Sequence, residues 1–412
     1  MTNPLFRRAA FGAAALVLAA VLLLQALSSA ATRSNPQVAV ALNGLNGLAR
    51  EQLAAREFTA SAEAGSPPAE AAVKGAAMAR SAYRSDPLAP KALMISALAE
   101  ADDAQKGEIL TAASRLNRRD LSLQGVVMEQ RLASGDYRAV IATLDQLLRV
   151  HPEYSADFFP VLQQALVIEG TQDAFANLLD GSSPWHEKFL LRSVRQADAR
   201  GVLAQIRPSI AVDREVFDQR LIAGLVRQGE FEQAQSVYTY LTSEDDFAIG
   251  GDGVTLNWDG RFPPFDWEFL SKRDIRAQES LDGELLEVFV RPGQGDVIAR
   301  RYLAAGAQPL QISTQLETAR AFVPGRVRLS VYCGASKEPI AQLVMREGAN
   351  RLEVPARPAS CPAVRLEISA RAFRDDPTLR TNVHRLEVLA AQCEGTCDTP
   401  PATDPSPAEA AR

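Results

Sequence analysis

Several residue types and motifs that support catalysis are scarce or missing in this chain of 412 residues. It has only 3 histidines, and His151, His186 and His384 lie far apart, none with a second ligand at a metal-binding spacing. Neither a Gly-x-Ser-x-Gly nucleophile elbow nor a phosphate-binding glycine loop with a following Lys occurs. We therefore predict no catalytic residues, no cofactor and no metal, and we do not expect an enzyme.

An excess of basic residues is also missing. The chain has 44 Lys plus Arg against 50 Asp plus Glu, which gives a formal net charge of -6. Recognition of nucleic acid requires a basic surface that neutralises phosphates. We therefore expect no nucleic-acid partner.

A hydrophobic run occupies residues 9–31, directly after Arg7 and Arg8. About 20 apolar residues cross a typical hydrocarbon layer, and a basic flank stays on the cytoplasmic side. The run therefore predicts a retained membrane anchor with the rest of the chain outside the cytoplasm. A cleaved signal is the alternative, because Ser28 to Ala31 are small residues that a signal peptidase accepts.

Cysteine is limited to 4 residues in the last quarter of the chain: Cys333, Cys361, Cys393 and Cys397. An even set in an oxidising compartment predicts disulfides. Cys333 continues the inward register of Val327, Leu329 and Val331, so we expect it to form a disulfide with Cys361. Cys393 and Cys397 are then expected to pair with each other. Zinc is the competing interpretation, although the spacing is not that of paired metal knuckles.

Residues from about 35 to 249 follow the period of an α-helix. Apolar residues line one helical face at Tyr137, Val140, Ile141, Leu144, Leu147 and Leu148. Gly135-Asp136 precedes this helix and Gly229-Glu230 precedes a similar one, and both pairs are typical of a helix end followed by a helix start.

These helices are predicted to form repeats. Breaker segments at Pro87, Arg118 and Pro152 are spaced by 31 and 34 residues, close to the helix–turn–helix period of about 34 residues in tetratricopeptide repeats. The residues that resemble the turn, small and closing positions of such a repeat are Gly135-Asp136-Tyr137, Ala139, Ala142 and His151-Pro152. The resemblance implies a stacked array with a groove for a protein partner. The alternative is a helical spacer.

From about residue 250 the apolar period changes from 3.6 to 2. Val327, Leu329 and Val331 alternate with polar residues, as do Val364, Leu366 and Ile368. Further strands are predicted at residues 254–258, 268–270, 284–290, 298–303, 310–316, 342–344, 351–354 and 384–389. This pattern predicts an antiparallel β-sandwich, specifically a jelly roll.

An aromatic segment opens this region, with Asn257-Trp258-Asp259-Gly260-Arg261-Phe262 and then Pro264-Phe265-Asp266-Trp267. Together with Cys333 and Cys361 it resembles the sandwich that follows helical repeats in membrane-anchored proteins of bacterial exopolysaccharide gene clusters, which is similar to jelly-roll carbohydrate-binding modules. The candidate glycan contacts are Trp258, Trp267, Asp259, Asp266 and Arg261, because a flat exposed ring stacks on a sugar and polar groups bind its hydroxyls. Packing of both tryptophans in the core is the alternative.

We divide the chain into an N-terminus with a membrane helix (1–34), a tetratricopeptide-like helical domain (35–249), a β-sandwich (250–392) and a disordered tail (393–412). The expected protein spans the bacterial inner membrane once, with its bulk in the periplasm. Its helices bind a protein partner and its sandwich contacts a polysaccharide or another envelope component, in exopolysaccharide assembly or export. The alternatives are an extracytoplasmic glycan-active enzyme and a protein-interaction module without sugar binding.

Overall fold

A computed structural model of the chain describes residues 4–242, 253–304, 307–318, 323, 325–358, 360, 361 and 363–390, with only the backbone for residues 4–10. Cys393, Cys397 and the predicted tail lie outside these residues. Within them, helices come first and antiparallel strands follow, so the predicted fold class is confirmed.

The described helices are α1 (Pro4–Ala31), α2 (Pro36–Leu42), α3 (Gly47–Glu63), α4 (Pro68–Ser85), α5 (Pro90–Leu98), α6 (Asp103–Leu116), α7 (Leu121–Ala133), α8 (Tyr137–Val150), α9 (Ser155–Leu166), α10 (Gln172–Leu178), α11 (Pro184–Ser193), α12 (Ala197–Ile206), α13 (Glu215–Gln228) and α14 (Phe231–Thr242). Helices α5, α7, α9, α11 and α13 begin at residues 90, 121, 155, 184 and 215, a spacing of 29 to 34 residues. This spacing agrees with paired helical repeats, and membership of the tetratricopeptide class stays a prediction.

Local sequence signals set the helix ends. Asp136 caps the N-terminus of α8, where its carboxylate accepts a hydrogen bond from the Ala139 N–H at 3.0 Å. The preceding Gly135 has φ of 73°, and Gly229, which ends α13, has φ of 86°. Both lie in the left-handed region that favours glycine, so the two predicted turns form for the expected reason.

Helix α1 is long and apolar enough over Phe11–Ala31 to cross a membrane, and almost none of this stretch is buried in the protein. The same composition also suits a signal sequence. Its C-terminal end is fastened to the following helices. The Asn46 amide donates hydrogen bonds to the Ser28 and Thr32 hydroxyls, at 2.9 Å each, and Ser28 donates to the Ala39 carbonyl at 2.7 Å.

The described strands are β1 (Val254–Leu256), β2 (Glu268–Phe269), β3 (Ile275–Glu279), β4 (Leu285–Val290), β5 (Gly295–Leu303), β6 (Leu310–Thr318), β7 (Val327–Cys333), β8 (Pro339–Val344), β9 (Gly348–Val354), β10 (Val364–Arg371), β11 (Leu379–His384) and β12 (Leu386–Ala390). A seven-stranded sheet has the order β1-β12-β6-β11-β4-β3, with β9 also paired to β6. A five-stranded sheet has the order β2-β5-β10-β7-β8. The chain crosses repeatedly between the sheets, as in a jelly roll.

The core of the sandwich lies between the two sheets. Ile312 and Leu316 of β6 and Val383 of β11 face Leu329 of β7 and Leu366 of β10 in one buried cluster. The Cys333–Cys361 disulfide, predicted from the register of β7, is present, with the two Cα atoms 5.5 Å apart. It joins the end of β7 to the segment that leads into β10, and Cys333 lies opposite Val364.

Contacts divide the chain into two compact units, Met1–Leu178 with Ser182–Trp185 and Leu179–Gly181 with His186–Arg412. Helices α12–α14 therefore share a unit with the strands. The predicted boundary at 249/250, which follows the change from helix to strand, stays a prediction about independent folding.

Candidate functional site

The aromatic segment lies between β1 and β2, and its two tryptophans are in the core. Trp258 and Trp267 are both 0% exposed, and their ring centroids are 4.6 Å apart. They belong to the same buried cluster as the sheet residues. The structure thus shows the core-packing alternative, and neither ring presents the exposed face that stacking on a sugar requires.

Asp266 is also buried, and its partners are within the protein. One carboxylate oxygen accepts a hydrogen bond from the Tyr238 hydroxyl at 2.6 Å, and the other accepts one from the Phe262 N–H at 2.6 Å. Burial raises the pKa of Asp266, and these hydrogen bonds oppose the rise only in part. Because Tyr238 belongs to α14, Asp266 fastens this helix to the aromatic segment.

Asp259 and Arg261 are exposed on the same segment. The Asp259 carboxylate accepts a hydrogen bond from the Arg261 N–H at 3.0 Å. Arg261 pairs with Glu215 of α13 at 3.5 Å, and its guanidinium lies 4.9 Å from the Phe262 ring centroid. The five predicted site residues are therefore brought together, but at a joint between α13, α14 and the sandwich.

A different surface offers an open polar face. We use the name outer face for the side of the seven-stranded sheet turned away from the core. Along β4, β6 and β9, exposed or half-buried residues, most of them polar, alternate with buried ones. Two grooves run over it. The β9 groove has a volume of about 630 Å³ and includes Thr255, Gln311, Ser313, Gln315, Arg351 and Glu387. The β4 groove has a volume of about 670 Å³ and includes Arg276, Gln278, Glu287, Phe289, Arg380 and Asn382.

Side chains within these grooves already bind one another across strands. Gln278 donates to Glu287 at 2.9 Å, the His384 ring nitrogen lies 2.8 Å from the Glu317 carboxylate, and Arg351 contacts Gln311. Such pairs hold donors and acceptors in place at the surface. An array of amide, carboxylate and guanidinium groups is suited to a ligand rich in hydroxyls.

The outer face was not among the predicted site residues. Its signal in the sequence is the polar half of each strand's alternation, which shows that a face is solvated but not which strands adjoin it. Asn382 lies opposite both Glu287 and Glu317, although these residues are far apart in the sequence. In the part of the chain that the structure describes, no group of three His, Cys, Asp or Glu side chains is placed to hold a metal ion.

Comparison with known proteins identifies no family. No family model and no curated protein matches the chain. A solved structure of the Clostridium thermocellum N-terminal endo-1,4-beta-D-xylanase 10B, containing CBM22-1 and GH10 modules complexed with xylohexaose, is similar over 34% of this chain and 28% of its own. The sequence identity is 15% and the TM-score is 0.24, so no argument rests on this likeness.

Proposed function

We propose that this chain is a membrane-anchored adaptor outside the cytoplasm. Its helices bind a protein partner, and the outer face of its sandwich contacts a glycan or another envelope component, in the assembly or export of a bacterial exopolysaccharide. In this proposal the protein binds and does not catalyse. The observation that carries it is the open polar outer face with its two grooves.

A retained anchor is supported by the contacts at the end of α1. Ser28 is 0% exposed and Thr32 is 3% exposed, and both accept hydrogen bonds from Asn46. Asn46 also caps α3 by accepting from the Ala49 N–H at 3.0 Å. Cleavage among the small residues near Ser28 would remove partners of a buried network, which favours an anchor over a signal sequence.

An extracytoplasmic location is supported by the disulfide, since disulfides persist in oxidising compartments. A protein partner is supported by large apolar side chains exposed in the helical unit, among them Leu45 at 79%, Leu88 at 69% and Val73 at 61%. Leu45 and Leu88 lie in loops between helices.

The glycan contact is tested by calorimetric titration of the full chain, in detergent, with the surface polysaccharide of the source bacterium. Combining Asn382→Ala with Glu387→Ala removes one polar group from each groove, and we expect affinity to fall by about tenfold or more, the loss of about one charge-assisted hydrogen bond. The control, Gln342→Ala on β8 of the other sheet, should bind like the original chain.

Absence of binding by the original chain would contradict the glycan contact. The alternative of a protein-interaction module without sugar binding would then be preferred. Equal loss of affinity in the Gln342→Ala control would also contradict the assignment to the outer face.

A further inference from the structure

The β4 groove is basic, although the whole chain is acidic. Four arginines, Arg273, Arg276, Arg291 and Arg380, line it together with two glutamates, Glu287 and Glu317. The formal net charge of the chain is -6. A positively charged groove on a negatively charged protein raises the local concentration of anionic ligands.

Two of these arginines flank an aromatic ring. In the register of the sheet, Arg276 of β3 and Arg380 of β11 both lie opposite Phe289 of β4. The Arg380 guanidinium is 5.5 Å from the ring centroid, and Phe289 is half-buried. One row across three strands therefore reads Arg–Phe–Arg, with the two arginine backbones about 10 Å apart by strand spacing.

In the described part of the chain, neither arginine of this row forms an ion pair. Among the residues that the structure describes, Arg291 pairs with Asp274 at 3.0 Å, whereas no ion pair is found for Arg273, Arg276 or Arg380. Arg276 and Arg380 are exposed. The groove is lined by four arginines against two carboxylates, Glu287 and Glu317, so an anionic ligand would balance its excess of positive charge.

Next to this row lies a second one, formed by Gln278, Glu287 and Asn382, which lie opposite one another in register. These side chains supply amide donors and carbonyl and carboxylate acceptors of the kind that sugar hydroxyls bind. A carboxylate receives parallel hydrogen bonds from an arginine, and the C–H face of a sugar ring packs on an aromatic ring.

We propose that the β4 groove binds an anionic polysaccharide whose sugar residues carry carboxylates, that is, a uronate-containing chain. The inference rests on the proposed glycan contact and names its chemical class. Arg276 and Arg380 bind carboxylates on either side of Phe289, and the Gln278–Glu287–Asn382 row binds hydroxyls.

A uronate chain fits this groove better than an anionic lipid surface does. The carboxylates of Glu287 and Glu317 lie among the arginines and would repel a dense array of phosphates. Phe289 is half-buried and lies opposite an arginine on each neighbouring strand, whereas insertion into a membrane requires a protruding apolar residue. A chain with one carboxylate per sugar and many hydroxyls satisfies both the basic and the acidic side chains.

The test is calorimetric titration of the full chain in detergent with tetrasaccharides of galacturonate and of mannuronate. Their methyl esters, which have the same rings without the charge, are the matched neutral probes. We expect at least one tetrasaccharide to bind about tenfold more tightly than its ester, and Arg276→Gln or Arg380→Gln to remove about tenfold in affinity. Higher salt should weaken this binding.

Arg328→Gln is the matched control, since Arg328 is exposed on β7 of the other sheet. It should bind like the original chain, and chemical unfolding should show that all three variants are equally folded. Binding that is unchanged in Arg276→Gln and Arg380→Gln would overturn the assignment to the β4 groove.

Other outcomes separate this inference from the function on which it rests. If ester and acid bind equally, or if the surface polysaccharide binds and no uronate tetrasaccharide does, the anionic class is wrong and the glycan contact stands. If no glycan binds at all, both fail. Arginine-dependent binding to phosphatidylglycerol vesicles without uronate binding would replace the inference by a membrane contact.

Discussion

Replacing Asp266 with Ala is expected to lower the free energy of unfolding by about 3 to 5 kcal/mol. The substitution leaves the Tyr238 hydroxyl and the Phe262 N–H without their acceptor, and both residues are 2% exposed. Each buried unsatisfied donor costs about 1 to 3 kcal/mol, and the missing side chain leaves a small void. Urea unfolding followed by tryptophan fluorescence measures the change.

Asp266→Asn is the matched control, because an asparagine can accept from the Phe262 N–H and donate to the Tyr238 oxygen. We expect it to retain most of the stability that the Ala variant loses. Tyr238→Phe removes one of the two hydrogen bonds and should cost about 1 to 2 kcal/mol. A decrease in the free energy of unfolding below about 1 kcal/mol in Asp266→Ala would show that the hydrogen bonds of this carboxylate do not stabilise the packing of α14.

Comparison with Asp266→Asn also isolates the pH dependence of stability that comes from the Asp266 carboxyl group. Burial raises the native pKa of Asp266 above its unfolded value, so the native state keeps this proton to a higher pH. The contribution of the Asp266 proton to the free energy of unfolding is fully present below the ordinary aspartate pKa of about 3.9. It is lost as the pH rises through the raised pKa of the native state. The unfolding free energy of the original chain relative to Asp266→Asn should therefore fall across that interval.

Removing the Cys333–Cys361 disulfide, with both cysteines replaced by Ala, is expected to lower the free energy of unfolding by about 3 to 4 kcal/mol. The bond spans 28 residues of sequence and restricts the unfolded chain accordingly. Strands β7 and β10, which it adjoins, pair directly, so their native hydrogen bonds should survive the substitution. Urea unfolding under non-reducing conditions measures the loss.

Two comparisons control this experiment. Ser336→Ala, in the turn that the disulfide encloses, keeps the bond and should change stability far less, since Ser336 is exposed. The strand content by circular dichroism should be unchanged in the double Ala variant. A loss of less than about 1 kcal/mol would contradict the interpretation that this bond stabilises the sandwich.

Features carried by local patterns were predictable. The apolar run of α1, the glycine turns before α8 and α14, and the change of period near residue 250 each depend on residues that are close in sequence. The Cys333–Cys361 pair followed from the inward register of β7, which needs only that strand and the position of the next cysteine.

Strands with few apolar residues were harder to predict. β3 was missed because only two of its residues, Ile275 and Ala277, are apolar. The others are Arg276, Gln278 and Glu279, so the apolar alternation is too short to indicate a strand. β11 was missed because its inward positions include Thr381, which is buried and donates to the Glu317 carbonyl at 2.6 Å. A polar residue in an inward position weakens the apolar period on which the prediction depends.

The site could not be predicted, because it depends on which distant segments adjoin. Composition does not distinguish an exposed tryptophan from a buried one, and the burial of Trp258 and Trp267 follows from the packing of the core. Arg276, Phe289 and Arg380 become a row only through the strand order β11-β4-β3, which joins residues about a hundred positions apart.

The most direct test of the account is arginine labelling of the full chain with phenylglyoxal, with and without saturating surface polysaccharide, followed by mass spectrometry. Arg276 and Arg380 lie in the β4 groove, Arg351 lies in the β9 groove, and Arg328 lies on the other sheet. The account predicts that polysaccharide slows modification of the three groove arginines and leaves Arg328 unchanged. Protection of Arg328 alone, or of none of the four, would contradict a glycan contact at the outer face.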